Sequence, residues 1–241
     1  MKKIIFTLSL LLSFNSFSVD VVGLLKKVDD LYRSEQSYAE IQMTVVTPDW
    51  ERTMEMVAWS KGTKKTFIRI ISPKKDEGVS TLKIENEMWN FFPKIDKIIK
   101  IPSSMMMASW MGSDFTNDDL VKEYRFSVDY DSSVEDQKDN YLITLKPHEN
   151  IPTIWGKIEV LLDKKTELPS ESTYFDEKGK KMRVIYFKER KIIDNKNMPM
   201  VMELVTLNKE GHKTTVRYKT LNFTQDVPDK IFSQKNLQER K

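Results

Sequence analysis

The chain has 241 residues, with 39 basic against 36 acidic side chains for a formal net charge of +3, two histidines and no cysteine. The missing thiols exclude disulfides, thiolate metal sites and cysteine nucleophiles, so the fold must stand on its hydrophobic core. Basic residues are interspersed with acids, as in Lys74-Lys75-Asp76-Glu77 and Lys188-Glu189-Arg190-Lys191. Phosphate backbones call for a one-sided basic surface, so nucleic acid is excluded as the partner.

Lys2 and Lys3 precede an apolar run from Ile4 to Leu12, and small residues Ser16 and Ser18 flank Phe17. This is the pattern of a secretory leader cleaved after Ser18. The run is shorter than the roughly 20 apolar residues that span a bilayer. Lys2 and Lys3 leave with the leader and no acid does, so the mature chain carries 37 basic and 36 acidic side chains. Residues 19–241 contain no low-complexity linker and read as one domain.

Asp20 is placed to cap a helix in which Val21, Leu24, Leu25, Val28, Leu31 and Tyr32 share one face, over roughly residues 20–36. The period then changes to two. Ile41, Met43 and Val45 alternate with Glu40, Gln42 and Thr44, Met54, Met56 and Ala58 with Thr53, Glu55 and Val57, and Thr66, Ile68 and Ile70 with Lys65, Phe67 and Arg69. The same alternation returns at 124–130, 141–146, 158–163, 182–188, 200–207 and 214–223, for about ten short strands. Gly179 and Gly211 close short turns of the antiparallel hairpin kind. Two runs, 184–187 and 200–207, are apolar on both faces. Either helices cover the second face there, or that face lines an enclosed apolar cavity.

Residues 71–126 are the least ordinary stretch. Met88, Trp89, Phe91 and Phe92 end a strand at Pro93, and residues 94–101 return. Pro102 is placed to open a short helix holding Met105, Met106, Met107, Trp110 and Met111, with Gly112 to stop it. Such a cluster either fills a core or forms a surface for variable apolar partners, since methionine is flexible and polarisable. In the second case residues 102–112 form a mobile amphipathic lid, with Met105, Met106, Trp110 or Met111 facing a cargo. After Gly112 and Ser113-Asp114, Thr116 or Asn117 can cap a helix whose first turn carries Asp118 and Asp119.

No catalytic or metal constellation stands out in the sequence. His148 and His212 each stand alone among strand-like residues, with no triad or ligand set around them. Asp129, Asp131 and Ser133 have the spacing of a calcium loop, but Val134 stands where it needs glycine and Asn140 where it needs the bidentate glutamate. No enzyme, metal or cofactor is expected.

The order Gly78, Leu82, Met88-Trp89, Pro93, Pro102-Ser-Ser, Trp110-Met-Gly-Ser-Asp-Phe115 and Asp118-Asp119-Leu120 resembles the LolA-like family of outer-membrane lipoprotein-sorting proteins. The pieces at 142–145, 157–164, 174–179, 211–214 and 228–232 fit as well, so the resemblance covers nearly all of residues 19–241. It implies a periplasmic protein with an incomplete antiparallel β-barrel of about eleven strands, closed by a few short helices around an apolar cavity. It implies acyl chains of lipid or lipoprotein as cargo, an inner-membrane ABC or RND-type transporter as donor, and an outer-membrane acceptor. Met88, Trp89, Phe91, Phe92 and the 105–111 cluster are then the lipid-binding and lid residues, and Gly112, Ser113, Asp114, Asp118 and Asp119 the motif. The same fold also serves envelope regulators such as RseB, so a lipid or lipoprotein sensor is the alternative.

Overall fold

The computed structural model describes residues 19–32, 34–121 and 125–239. The leader expected at 1–18 lies outside the described residues. Helix α1 (Val21–Asp29) is capped by the Asp20 carboxylate, which accepts from the Gly23 amide at 2.9 Å. It ends earlier than its apolar spacing suggests, because the chain turns into the first strand at Gln36.

Among the described residues thirteen strands follow: β1 (Gln36–Val46), β2 (Glu51–Lys61), β3 (Lys65–Ser72), β4 (Ser80–Ile84), β5 (Glu87–Phe92), β6 (Lys97–Lys100), β7 (Tyr130–Asp136), β8 (Asn140–Pro147), β9 (Lys157–Asp163), β10 (Pro169–Phe175), β11 (Lys181–Ile193), β12 (Lys196–Thr206) and β13 (Lys213–Asn222). All pair antiparallel in one sheet of order β6-β5-β4-β3-β2-β1-β13-β12-β11-β10-β9-β8-β7. The chain runs outward from β1 to β6, then crosses to β7 and returns to pair β13 with β1. Strands β6 and β7 remain the two edges, so the sheet is an unclosed barrel of thirteen strands rather than about eleven.

Residues 126–129, expected as part of a strand, form the one-turn helix α3 (Phe126–Asp129). The Asp29 carboxylate of α1 accepts from the Phe126 and Ser127 amides at 2.8 and 3.0 Å and from the Ser127 hydroxyl at 2.6 Å. A long-range cap of this kind overrides a four-residue alternation.

Alternation sorts the sheet into two faces. On the inner face one cross-strand row runs Met54–Met43–Val216–Met202–Phe187 over β2, β1, β13, β12 and β11. Met43, Met54, Met56, Ile70 and Met88 form a buried cluster there. On the outer face Phe67, Leu82 and Phe91 are covered by the C-terminal segment through Val227, Phe232 and Leu237. That segment contains a 3-10 turn (Asp229–Ile231) and helix α4 (Gln234–Gln238), held by Arg69, which donates to the Asn236 carbonyl. At the other end of the inner face α1 packs Leu24 and Leu25 on Ile143, Leu145, Ile158, Val160 and Leu162 of β8 and β9. Among the described residues no helix is long and apolar enough to cross a membrane.

Candidate functional site: an apolar interior under a latched tongue

Residues 101–121, between β6 and α3, lie over the methionine face. The expected helix at 102–112 is absent: only Ser103–Met105 forms a 3-10 turn. Residues 105–118 instead fold back on themselves as a tongue. The Asp118 amide donates to the Met106 carbonyl (2.8 Å), Asn117 to Ala108 (3.0 Å) and Trp110 to Phe115 (2.8 Å), around a Ser109–Thr116 bridge. The tip reverses at Met111 (φ 51°) and Gly112 (φ 74°). A Cβ on Gly112 would stand 3.2 Å from the Arg52 guanidinium, a second reason for glycine there.

At the base of the tongue, helix α2 (Asn117–Val121) begins with a reciprocal cap. The Asp119 amide donates to the Thr116 hydroxyl at 3.1 Å, and the Asp119 carboxylate accepts from the Thr116 amide at 2.8 Å. Apolar anchors are Ile101, Trp110 and Val121, all buried in the methionine cluster, with Met106 and Met111 packed against it.

Polar latches tie the tongue to five strands. Arg52 on β2 donates to the Met111 carbonyl. Trp110 Nε1 donates to the Thr81 hydroxyl on β4 at 3.1 Å, and that hydroxyl donates to Asn90 at 2.8 Å. The Asp114 carboxylate accepts from the hydroxyls of Thr206 on β12 and Thr214 on β13 at 3.0 and 2.7 Å. Asp119 takes both guanidinium arms of Arg183 on β11 at 2.8 and 2.7 Å. Arg183 lies beside the rings of Trp155 and Tyr174, 4.5 and 4.3 Å from their centres. Burial alone would raise the Asp119 carboxyl. The charge and hydrogen bonds of Arg183 and the two Thr116 donors outweigh it and hold the group below the usual carboxylate range.

The residues singled out from sequence separate in space. Met88 belongs to the inner cluster, whereas Trp89 and Phe91 face outward against the C-terminal segment. Phe92 and Met111 line a cavity of about 360 Å³ beside the tongue tip. Met106 and Met107 line one of about 710 Å³ at its base, with Ile154 opposite. Met105 and Met107 are 49% and 45% exposed, so neither is a core residue, while Trp110 at 5% is. Gly112 shapes the tip, Ser113 donates to the Trp110 carbonyl at 2.7 Å, Asp114 and Asp119 are latches, and Asp118 closes the tongue ladder through its amide. Sequence reasoning left Arg52 unassigned and missed Met54 and Ile70 of the smaller cavity, and Arg183. The alternation of Met54 and Met56 with polar residues placed them on a buried face, but nothing local linked that face to the tongue.

His148 Nε2 lies 3.3 Å from Asp131, and His212 Nδ1 lies 3.8 Å from the buried Asp114. Among the described residues no three histidine or acidic side chains converge as a metal site would require.

The model of a family described as uncharacterized protein matches residues 62–239. No curated protein matches the chain. Among solved structures, a DUF1329 family protein from Desulfovibrio piger superposes with a TM-score of 0.81 at 21% identity, over 90% of this chain and 97% of that one. A putative outer membrane lipoprotein-sorting protein domain from Vibrio parahaemolyticus gives 0.76 at 17% identity, over 90% and 98%. A LolA superfamily protein from Nitrosomonas europaea gives 0.72 at 18%, over 89% and 97%. The chain belongs to the uncharacterized family whose model spans residues 62–239, and its fold is LolA-like.

Proposed function

We propose that the protein is an exported, non-catalytic carrier that takes acyl chains of lipid or lipoprotein into its interior and moves them between the inner and outer membranes through the periplasm. The observation that carries this reading is the tongue. It covers a methionine-lined face and is held there by polar latches and by the buried Ile101, Trp110 and Val121 rather than by sheet pairing to its neighbours. Such a cover can lift as a unit, and methionines can repack around chains of different shape. Each acyl methylene transferred from water contributes about 0.8 kcal/mol, so a sixteen-carbon chain offers roughly 10 kcal/mol towards displacing the tongue and ordering the chain.

The likeness to a lipoprotein-sorting domain supports the same reading. A transporter of the ABC or RND type would supply the cargo and an outer-membrane acceptor would take it. The test is transfer of a fluorescent acyl lipid from donor to acceptor vesicles. Delipidated protein should accelerate it, and a protein that neither binds the lipid nor accelerates its transfer is not a carrier.

A further inference from the structure

The smaller cavity joins two chemistries. Its floor is Met54 and Ile70, buried members of the inner cluster, and Met111 of the tongue tip forms one wall. Its rim carries Arg52, Lys75 and Lys94 against a single acid, Asp76. In a mature chain with almost equal numbers of acids and bases, three cations to one acid at the entrance to an apolar interior is a local excess. Neither Lys75 nor Lys94 has a hydrogen-bond or ion-pair partner among the described residues.

Arg52 is only partly engaged. One arm donates to the Met111 carbonyl, the other is 3.8 Å from Asp76, beyond hydrogen-bond reach, and the buried Nε has no hydrogen-bond partner among the described residues. Buried unsatisfied donors are rare enough to need a reason. An adjoining recess shares Ile70, Lys75, Pro93 and Lys94 and adds Lys74 and Arg69, opposed by Glu77 and Glu239.

We infer that the cargo is an amphiphile with an anionic headgroup, a phosphate or a carboxylate, held at this rim by Arg52, Lys75 and Lys94 while its chain enters past Met111. The inference rests on the carrier reading and specifies its substrate class. Entry of the chain displaces the tongue tip, which frees the Arg52 arm from the Met111 carbonyl. A headgroup oxygen then replaces that carbonyl, and the guanidinium fork suits phosphate or carboxylate equally. The exchange makes headgroup binding and tongue opening a single event. A neutral headgroup offers Arg52 no charge in return.

The test is competition against a fluorescent acyl probe on the delipidated full chain, with twelve-carbon ligands kept below their micelle concentrations. Dodecyl phosphate and dodecanoate should displace the probe at least tenfold more tightly than neutral dodecyl maltoside, and the margin should shrink with added salt. Lys75→Gln with Lys94→Gln should reduce that margin below threefold. Lys138→Gln with Lys165→Gln, on the turns flanking β8 and β9 at the far end of the sheet, should leave it intact. A preference for dodecyl phosphate alone identifies a phosphate source, and one for dodecanoate alone a carboxylate source; either supports the inference. Equal displacement by all three ligands overturns the inference and leaves the carrier reading standing. Displacement by inorganic phosphate as effective as dodecyl phosphate also overturns it, because the rim is then a free-anion site. If no acyl compound binds at all, the carrier reading fails first and this one with it.

Discussion

Asp119→Asn tests whether the tongue opens as its own unit. The substitution keeps the size of the side chain and an oxygen for the Thr116 donors, but removes the charge opposite Arg183, itself only 6% exposed. Removing one partner of a buried pair costs about 3–5 kcal/mol. The rings of Trp155 and Tyr174 beside the guanidinium offset part of this, since a cation over an aromatic face is stabilised by about 0.5–2 kcal/mol. The lower end, about 3 kcal/mol, is therefore the expected loss. If that loss falls on local opening, the open population rises about 100-fold, because each 1.4 kcal/mol is a factor of ten. Hydrogen exchange by mass spectrometry reads this directly. The Trp110, Asn117 and Asp118 amides, which close the tongue, should exchange about 100-fold faster, while amides of β8 and β9 should not change. Asp119→Leu with Arg183→Met should recover much of the protection, since an apolar pair leaves no charge buried alone. Equal acceleration across the whole chain would refute the reasoning, because the tongue would then open only with global unfolding. So would unchanged exchange.

Acid should reproduce part of this effect. The folded Asp119 carboxyl is held below its unfolded value, so its contribution is fully present above about pH 4 and is lost as pH falls through the depressed folded value. Tongue protection in the parent should fall only in that acidic window, and Asp119→Asn should show no such step. Thr81→Val leaves the buried Trp110 indole N–H without its acceptor and should cost about 1–3 kcal/mol by urea denaturation. Trp110→Ala should cost about 3–5 kcal/mol as a core truncation, whereas Met107→Ala, half exposed, should stay within about 0.5 kcal/mol; equal losses would contradict their assigned places. Mass spectrometry of protein from the envelope should find a mature start at Val19, and retained residues 1–18 would contradict export with cleavage.

Period-two patterning made much of the sheet legible, because one buried face per strand forces alternation in β1, β2, β8, β9 and β13. The cap at Thr116 was legible for the same local reason, and Asp119 three residues on completes it. The tongue was not. Pro102, a run of methionines and Gly112 have every local mark of a helix, yet the Ala108 and Met106 carbonyls pair with amides nine and twelve residues away. Tertiary fixing of the tip by Arg52 and Asp114 overrides the propensity. Two-faced apolarity left a choice between a covering element and a cavity. On β3–β5, outside the runs 184–187 and 200–207 for which that choice arose, the outer face is covered by the C-terminal segment and the inner face by the tongue, with cavities along the tongue's margins. Arg183 and Asp119 lie 64 residues apart, so no window of sequence joins them.

The central claim is that the methionine face beneath the tongue holds an acyl chain. Native mass spectrometry of the protein purified from the envelope without detergent tests it most directly. The account predicts a bound species at one acyl lipid per chain, lost on delipidation and restored by adding acyl lipid. A bare polypeptide mass that stays unchanged after incubation with acyl lipid, in the parent and in Asp119→Asn alike, would contradict it.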